Sequence, residues 1–160
     1  MEFRKRVRSI AHDTDVAKIT VADVPDRPGI AHAIFAPLAE ASINVDVIVQ
    51  TTNSAGLAEI SFSVGRSDFD RALQISEAVG RQLGARVESA QRLAKVSVVG
   101  TGLQNSPGEA ATMFKTLAEH GINIDTITTS DIRITCVINE DAVGEAVRSL
   151  HAAFELDQDD

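Results

Sequence analysis

The sequence predicts an α+β protein made of two ferredoxin-like βαββαβ units, each with an antiparallel sheet and helices on one face. The first observation is an internal repeat: VPDRPGIAHAIFAPLAEASINVDVI returns further along as LQNSPGEAATMFKTLAEHGINIDTI. The second is that both copies follow one order of patterns. A β-branched run, a Pro-Gly turn and an amphipathic segment are followed by two further β-branched runs.

The first copy contains every element of such a unit. The run AKITVADV predicts a buried strand, and the segment after the Pro-Gly turn predicts a helix with Ile34, Leu38 and Ala41 on one face. The runs NVDVIVQT and LAEISFSV predict two strands. A helix from Ser67 to Leu83 and a strand at ARVESAQ complete the unit. The first domain is therefore expected over residues 16–91.

The second copy repeats this order but stops early. AKVSVVG predicts a strand, and the helix that follows places Met113, Leu117 and His120 on one face. NIDTITT and IRITCVI predict two strands, and a second helix is expected from about Glu140 to Phe154. No run after that helix has the pattern of a final strand.

The N-terminal segment RVRSIAH is the candidate for the missing strand. Its apolar and β-branched residues fit an extended conformation. Adding it to the second sheet would leave less of an exposed edge. The second domain is thus expected to combine residues 3–12 with 92–157. A disordered leader is the alternative.

Composition excludes several classes of function. The chain has 160 residues, 44% of them hydrophobic, which is enough for two small domains with cores. A formal net charge of −8 argues against a broad nucleic-acid or anionic-membrane surface. The single cysteine, Cys136, permits no intramolecular disulfide. Neither a signal peptide nor a transmembrane stretch is present, so a soluble cytoplasmic protein is expected.

The sequence carries no motif for catalysis or for a metal. The nucleophile elbow G-x-S-x-G and the phosphate-binding glycine loops are missing. The histidines lack ligand spacing, so no metal site is predicted; they are His12, His32, His120 and His151. Tyr and Trp, the usual platforms for stacking bases, are absent. These absences favour a binding or structural module.

The turn before each repeated helix is the most informative candidate site. A helix N-terminus offers unsatisfied N–H groups and favours an anion such as a carboxylate. Asp26, just ahead of the first Pro-Gly, could pair with an ammonium group. A carboxylate and an ammonium group together describe a free amino acid. Counted back from the second Pro-Gly, Asn105 replaces Asp26 and lacks the charge. An ordinary turn and cap remains the alternative.

The two copies of the repeat and the segments that follow them closely resemble the paired ACT domains of bacterial aspartate kinase. The resemblance extends over about Val16 to Asp157. The most specific part is TTSDIRIT after GINID, where the family usually has Ser-Thr-Ser-Glu-Ile-Arg-Ile-Ser, so that Asp131 stands for a Glu. The segment TTNSAGLAE after Gln50 departs from the family's usual Asn-Val-Ser.

The resemblance implies two effector pockets, formed where ACT units of two chains meet. It implies a threonine pocket at Asp26, Gly29, Ala31, Gln50, Asn123 and Ile124. It implies a second pocket, for lysine or another threonine, at Asn44, Val45, Ser106, Gly108, Ala110, Thr129, Ser130 and Asp131. Two chains are expected to form a homodimer, with the first unit of one chain against the second unit of the other.

The resemblance also implies a function without catalysis in this chain. Effector binding would feedback-inhibit aspartate phosphorylation in lysine, threonine and methionine biosynthesis. The catalytic domain, with its ATP and Mg²⁺, lies outside this sequence, so no cofactor is expected here. A separate regulatory β subunit and an excised regulatory domain both fit. The alternatives are a structural dimerisation module without effector sensing and a small acyl-phosphate hydrolase on the same frame.

Overall fold

The computed structural model describes residues 6–156 and confirms the predicted α+β fold. Within these residues it has six strands and four helices. The strands are β1 (Val7–Pro25), β2 (Val45–Thr52), β3 (Leu57–Val64), β4 (Arg86–Gly100), β5 (Thr126–Thr129) and β6 (Arg133–Asn139). The helices are α1 (Ile30–Glu40), α2 (Phe69–Leu83), α3 (Pro107–Glu119) and α4 (Val143–Ala153). Three short 3₁₀ turns cover Arg66–Asp68, Leu103–Asn105 and Glu140–Ala142.

The described chain divides into two compact units. Asp15–Gln91 forms the first unit, and the residues on either side, 6–14 and 92–156, form the second unit. Strands β1 and β4 each contribute residues to both units.

The first unit packs two helices on one sheet. Its strands follow the order β2-β3-β1-β4, and β3 is antiparallel to both of its neighbours. Apolar side chains of β1, β3, α1 and α2 form the core because the alternation of the strands and the stripe of each helix turn them inward. The most buried large side chains of this core are Ile19, Val21, Ile34, Leu38, Ile60 and Phe62.

The second unit repeats this plan with its own core. Its strands follow the order β1-β4-β6-β5, and β6 is antiparallel to both β4 and β5. Helix α3 contacts α4. The most buried large side chains of this core are Met113, Leu117, Ile134, Ile138 and Leu150.

The N-terminal segment is part of β1, and residues 7–14 belong to the second unit. Beside this strand, the Thr101 N–H donates to the Arg6 carbonyl at 3.0 Å. The prediction for residues 3–5 lies outside the described residues. Two predicted breaks were wrong. The strands predicted within RVRSIAH and AKITVADV are parts of β1, which has 19 residues, and those predicted within ARVESAQ and AKVSVVG are parts of β4. Neither junction contains Gly or Pro, so nothing in the backbone interrupts the extended conformation.

His120 does not belong to the apolar face of α3, contrary to the prediction. The helix ends at Glu119, and the exposed His120 is its C-cap. Its Nδ1 lies 3.1 Å from a carboxylate oxygen of Glu145 on α4. Gly121, at φ 68°, then turns the chain out of the helix direction.

Two irregularities distinguish the strands of the first unit. The register between β1 and β3 shifts between Val21 and Val24, where Asp23 has a left-handed φ of 60°. The register between β2 and β3 shifts between Asp46 and Val49. The pairings of β6 with β4 and β5 run without such a shift. Bulges of this kind bend a strand and redirect its side chains.

None of the helices within residues 6–156 is long and apolar enough to cross a membrane.

Candidate functional site

The turn between β1 and α1 is an exposed segment held at both ends. The Asp26 N–H donates to the Gly56 carbonyl at 3.1 Å, and the Ala33 N–H donates to the Gly29 carbonyl at 3.0 Å. Gly29 is the N-cap of α1 with φ 92°, a conformation that favours glycine. A Cβ at Gly29 would meet nothing within 4 Å, so the backbone angle rather than lack of space requires glycine here.

The candidate threonine residues of the first unit lie in its N-terminal turn and on β2. Asp26, Gly29 and Ala31 are all exposed around the start of α1. Gln50 is exposed on β2 and pairs with Ile60 of β3. The turn therefore places a carboxylate beside a helix N-terminus, the combination that suits the two charged groups of an amino acid.

Asn44 and Val45 lie at the other end of α1. Asn44 is exposed after the helix, and Val45 opens β2 in register with Val64. The 11 residues of α1 separate them from the Asp26 turn by roughly 16 Å along the helix axis. Within the first unit, the two predicted sets of residues therefore occupy opposite ends.

The corresponding turn of the second unit has a different conformation. The 3₁₀ turn Leu103–Asn105 precedes α3, and the helix begins at Pro107 itself, whereas α1 begins two residues after Pro28. The predicted pocket residue Ser106 is 7% exposed, while Gly108 lies inside the first turn of the helix. A backbone bond of 2.8 Å joins the Leu103 N–H to the Asp131 carbonyl.

This bond brings together the residues of the second unit that are predicted to line the second effector pocket. Thr129 ends β5, and Ser130 and Asp131 follow it in the connection to β6. A 2.8 Å bond from the Ser130 N–H to the Arg133 carbonyl closes that connection. Because Leu103 begins the turn that leads to Ser106, the predicted residues of this unit lie at one end of its sheet. Ala110 follows on α3 and is half-buried.

Asn123 and Ile124 line an open pocket at the far end of the second unit. The pocket measures about 570 Å³. Its lining consists of Leu93, Gly121, Ile122, Asn123, Ile124, Asp125, Asn139 and Ala142. Amide side chains and an acidic residue give it hydrogen-bonding capacity beside apolar walls, which suits a small polar ligand.

A second open pocket, of about 180 Å³, lies on the first unit and was missed by the sequence reasoning. Its lining consists of Asp23, Thr51, Thr52, Asn53, Leu57, Ala58 and Glu59. The polar run TTN directly after Gln50 was the signal in the sequence. The bulge at Asp23, which no residue type announces, brings β1 to the same place.

Cys136 is a buried free cysteine of the second unit. Burial raises the pKa of the Cys136 thiol to about 12, so this side chain stays protonated and unreactive at neutral pH. Among residues 6–156, no group of three or more His, Cys, Asp or Glu side chains is arranged to hold a metal ion.

Comparison with known proteins identifies both units. An ACT domain family matches residues 18–81, and an ACT domain family also matches residues 96–154. The regulatory subunit of aspartate kinase from Thermus thermophilus, solved in its ligand-free form, is 37% identical with a TM-score of 0.88. The match covers 94% of this chain and 99% of that subunit.

Two further matches are also to aspartate kinases. A solved structure of aspartokinase α and β subunits is 41% identical with a TM-score of 0.86, and the match covers 93% of this chain and 99% of the matched one. The aspartate kinase Ask_LysC of Stutzerimonas stutzeri is 41% identical over 152 residues, or 94% of this chain. This chain spans 37% of the length of that kinase.

Proposed function

Because this chain belongs to the aspartate kinase regulatory subunits and consists of two ACT domains, we propose that it is the allosteric part of an aspartate kinase that senses threonine. The observation that carries the proposal is its match, over 94% of its length, to a protein named as a regulatory subunit. The proposed effect is feedback inhibition of aspartate phosphorylation in the synthesis of lysine, threonine and methionine.

The turn between β1 and α1 is the proposed principal contact for threonine. The exposed Asp26 carboxylate would hold the ammonium group, and the N-terminus of α1 beyond Gly29 and Ala31 would hold the carboxylate. Gln50 would donate from β2. Asn123 and Ile124 of a second chain would close the pocket.

A second effector, lysine or another threonine, is proposed at Asn44 and Val45 together with the start of α3 and the β5–β6 connection. The residues of the second unit in this proposal are Ser106, Gly108, Ala110, Thr129, Ser130 and Asp131. The turn before α3 has Asn105 where the turn before α1 has Asp26. In the turn before α3, the Leu103 N–H donates to the Asp131 carbonyl in the β5–β6 connection. The first turn is therefore the better ammonium site.

Exposed apolar residues support a homodimer. Ile48 on β2 is 53% exposed and Ile127 on β5 is 47% exposed. They occupy the same position in the two copies of the repeat, and each lies on a strand at one end of the strand order. Such residues are suited to contact a partner. We propose that β2 of one chain meets β5 of another, and that the dimer contacts the catalytic part of the kinase.

The proposed mechanism is a shift of population between an active and an inhibited arrangement. Threonine moves this equilibrium only as far as its affinities for the two arrangements differ. This chain supplies the effector contacts, and ATP and Mg²⁺ belong to the catalytic part. We propose that this regulation takes place in the cytoplasm.

Calorimetric titration of threonine, with and without lysine, into this chain tests the proposal. The variant Asp26→Ala is expected to weaken threonine binding roughly ten- to a hundredfold, since a charge-assisted bond is lost. The matched control is Glu77→Ala, which removes an exposed carboxylate from α2 of the same unit and is expected to bind as the unaltered chain does.

Other outcomes of these titrations would change or contradict the proposal. Threonine binding that survives Asp26→Ala would move the principal site to the second unit. If neither threonine nor lysine produces saturable heat, effector sensing by this chain is contradicted. The structural dimerisation module would then be the better description of its function.

A further inference from the structure

The hairpin tip between β2 and β3 is organised by one side chain. The Oδ1 of Asn53 accepts hydrogen bonds from the N–H groups of Ala55 at 2.9 Å and Leu57 at 3.1 Å. The backbone of Asn53 closes the same tip, since its N–H donates to the Leu57 carbonyl at 2.9 Å and its carbonyl accepts from Gly56 at 3.2 Å. Asn53 therefore makes four bonds within a segment of five residues.

This tip holds the turn that carries Asp26. The paired register of β1 and β3 ends with Pro25 opposite Leu57, and the Asp26 N–H then donates to the Gly56 carbonyl at 3.1 Å. Pro25 and Pro28 have no N–H, so few donors in this stretch can anchor the turn to the sheet. The position of the Gly56 carbonyl consequently helps to set where Asp26 lies.

Gly56 depends on Asn53 for that position. Its φ of 75° is left-handed, and a Cβ there would meet open space, so no packing of a side chain restrains it. The bonds that Asn53 makes to Gly56 and to its neighbours Ala55 and Leu57 restrain it instead. The Asn53 side chain is thus linked to the Asp26 backbone through its bonds to the residues on either side of Gly56 and through the bond from the Asp26 N–H to the Gly56 carbonyl.

We infer that Asn53 is a positioning residue for the effector site, acting through the Gly56 carbonyl on the Asp26 turn. This inference rests on the proposed function, because it assigns a role in threonine binding to a residue that is not itself a proposed contact. A turn held in its binding conformation loses less conformational entropy when the ligand binds, so a loosened tip weakens affinity. The run TTNSAG after Gln50 would then serve to hold the Asp26 turn in position.

The experiment compares Asn53→Ala and Asn53→Asp in the full chain by two independent measurements. The first is hydrogen exchange of the Asp26 amide by NMR without ligand, and the second is calorimetric titration with threonine. Asn53→Ala removes both side-chain bonds, and we expect faster exchange at Asp26 and affinity about three- to tenfold weaker. Asn53→Asp keeps an acceptor oxygen and is expected to restore both values to within about twofold.

The control variant is Asp15→Ala. It removes another side-chain oxygen that accepts from a backbone N–H, since the Arg66 N–H donates to Asp15 Oδ1 at 2.7 Å at the opposite end of β3 in the same unit. We expect it to leave exchange at Asp26 and threonine affinity unchanged. An equal loss of affinity in Asp15→Ala would show a general effect of reduced stability and overturn the inference.

The two measurements separate this inference from the proposed function. Unchanged exchange at Asp26 in Asn53→Ala overturns the coupling between tip and turn, whatever threonine does. Faster exchange with unchanged threonine affinity overturns the role in effector binding. An unaltered chain that binds no threonine contradicts the proposed function, and the exchange measurement still decides whether Asn53 positions the turn.

Discussion

The two units build the same fold around different cores. At one matched strand position the first unit has Phe62, whose ring meets Phe35 edge-on with centroids 5.2 Å apart. The second unit has Cys136 there, with its Sγ 4.0 Å from the Sδ of Met113. Only the strand position of these two contacts is equivalent, because Phe35 corresponds to Phe114 in the repeat and Met113 corresponds to Ile34. The shared fold requires apolar volume at this position and tolerates a change of residue type.

At an equivalent helix position, the larger side chain is in the second unit, the reverse of the strand position. Ala72 of α2 and Ala146 of α4 are equivalent and fully buried. Four residues further on, the first unit has the small Ser76 and the second unit has Leu150, both fully buried. The unit with the larger strand residue therefore has the smaller helix residue. Such compensation is expected when the interior must reach the packing density of a crystal.

One polar feature is kept in both units. Thr20 and Ser61 share a hydrogen bond of 2.8 Å between β1 and β3, and Ser97 and Thr135 share one of 2.7 Å between β4 and β6. The two pairs occupy equivalent positions of the repeat. Because a buried hydroxyl needs a partner, such pairs restrict the residues that these positions tolerate.

We expect the largest effect from a substitution that disrupts a close contact found only in the second unit. A Cβ at Gly100 would lie 2.0 Å from the Arg6 carbonyl oxygen. Gly100→Ala must displace the N-terminal part of β1, and we expect a loss of about 2–3 kcal/mol in the free energy of unfolding. The measurement is chemical denaturation followed by circular dichroism.

The corresponding residue of the aligned first strand supplies the control for Gly100→Ala. Asp23 is exposed and has a φ of 60°, so Asp23→Gly relieves a left-handed conformation. Its stability is expected to stay within about 1 kcal/mol of the unaltered chain. An unchanged midpoint for Gly100→Ala would show that the N-terminal segment is not packed against β4 as described.

The next effect compares the two hydroxyl pairs. Ser97→Ala leaves the Thr135 hydroxyl buried without its partner, and we expect a loss of about 1–2 kcal/mol. Ser61→Ala should cost less, because Ser61 is half-buried and water can reach the site. The measurement is equilibrium unfolding. The double variant Ser97→Ala with Thr135→Val should recover part of the loss, and a fully additive double variant would argue against a direct bond.

A smaller effect, of opposite sign, concerns the helix residues. Ser76 Oγ is a buried side-chain oxygen without a hydrogen-bond partner within the described residues. Ser76→Ala is therefore expected to raise the free energy of unfolding by about 0.5–1 kcal/mol. The control is Ser149→Ala on α4, which removes a bond of 3.1 Å to the Ala146 carbonyl and should not stabilise. Thermal unfolding compares the two, and equal shifts would contradict the distinction.

The smallest effect at neutral pH concerns Cys136. Its pKa is raised from 9.0 to about 12 by burial, so the thiol ionises first in the unfolded state. Stability contributed by the neutral thiol is complete below pH 9 and falls by about 1 kcal/mol per pH unit as pH rises toward 12. Unfolding of the unaltered chain and of Cys136→Ala across this range measures the difference. Parallel pH profiles of the two would show that the thiol is not buried.

Much of the fold could be predicted because it depends on local patterns. The β-branched runs, the helical stripe of Ile34 and Leu38, and the Pro-Gly turns all act over a few residues. The extent of the strands could not be predicted in this way. The residues between RVRSIAH and AKITVADV are mostly polar, yet they continue the extended conformation of β1. The exposure of His120 likewise depends on where Gly121 turns the chain.

By itself the sequence determined the repeat, the order of elements in each unit, and the place of Asp26 just ahead of a helix. These features follow from neighbouring residues and from the periods of strand and helix. Only the tertiary structure decided which groups hold that turn. The bond between Asp26 and Gly56 joins residues 30 positions apart, and no local pattern encodes it. The bulge at Asp23 and the size exchange between the cores also depend on packing between distant segments, which fixes geometry through contacts rather than through sequence neighbours.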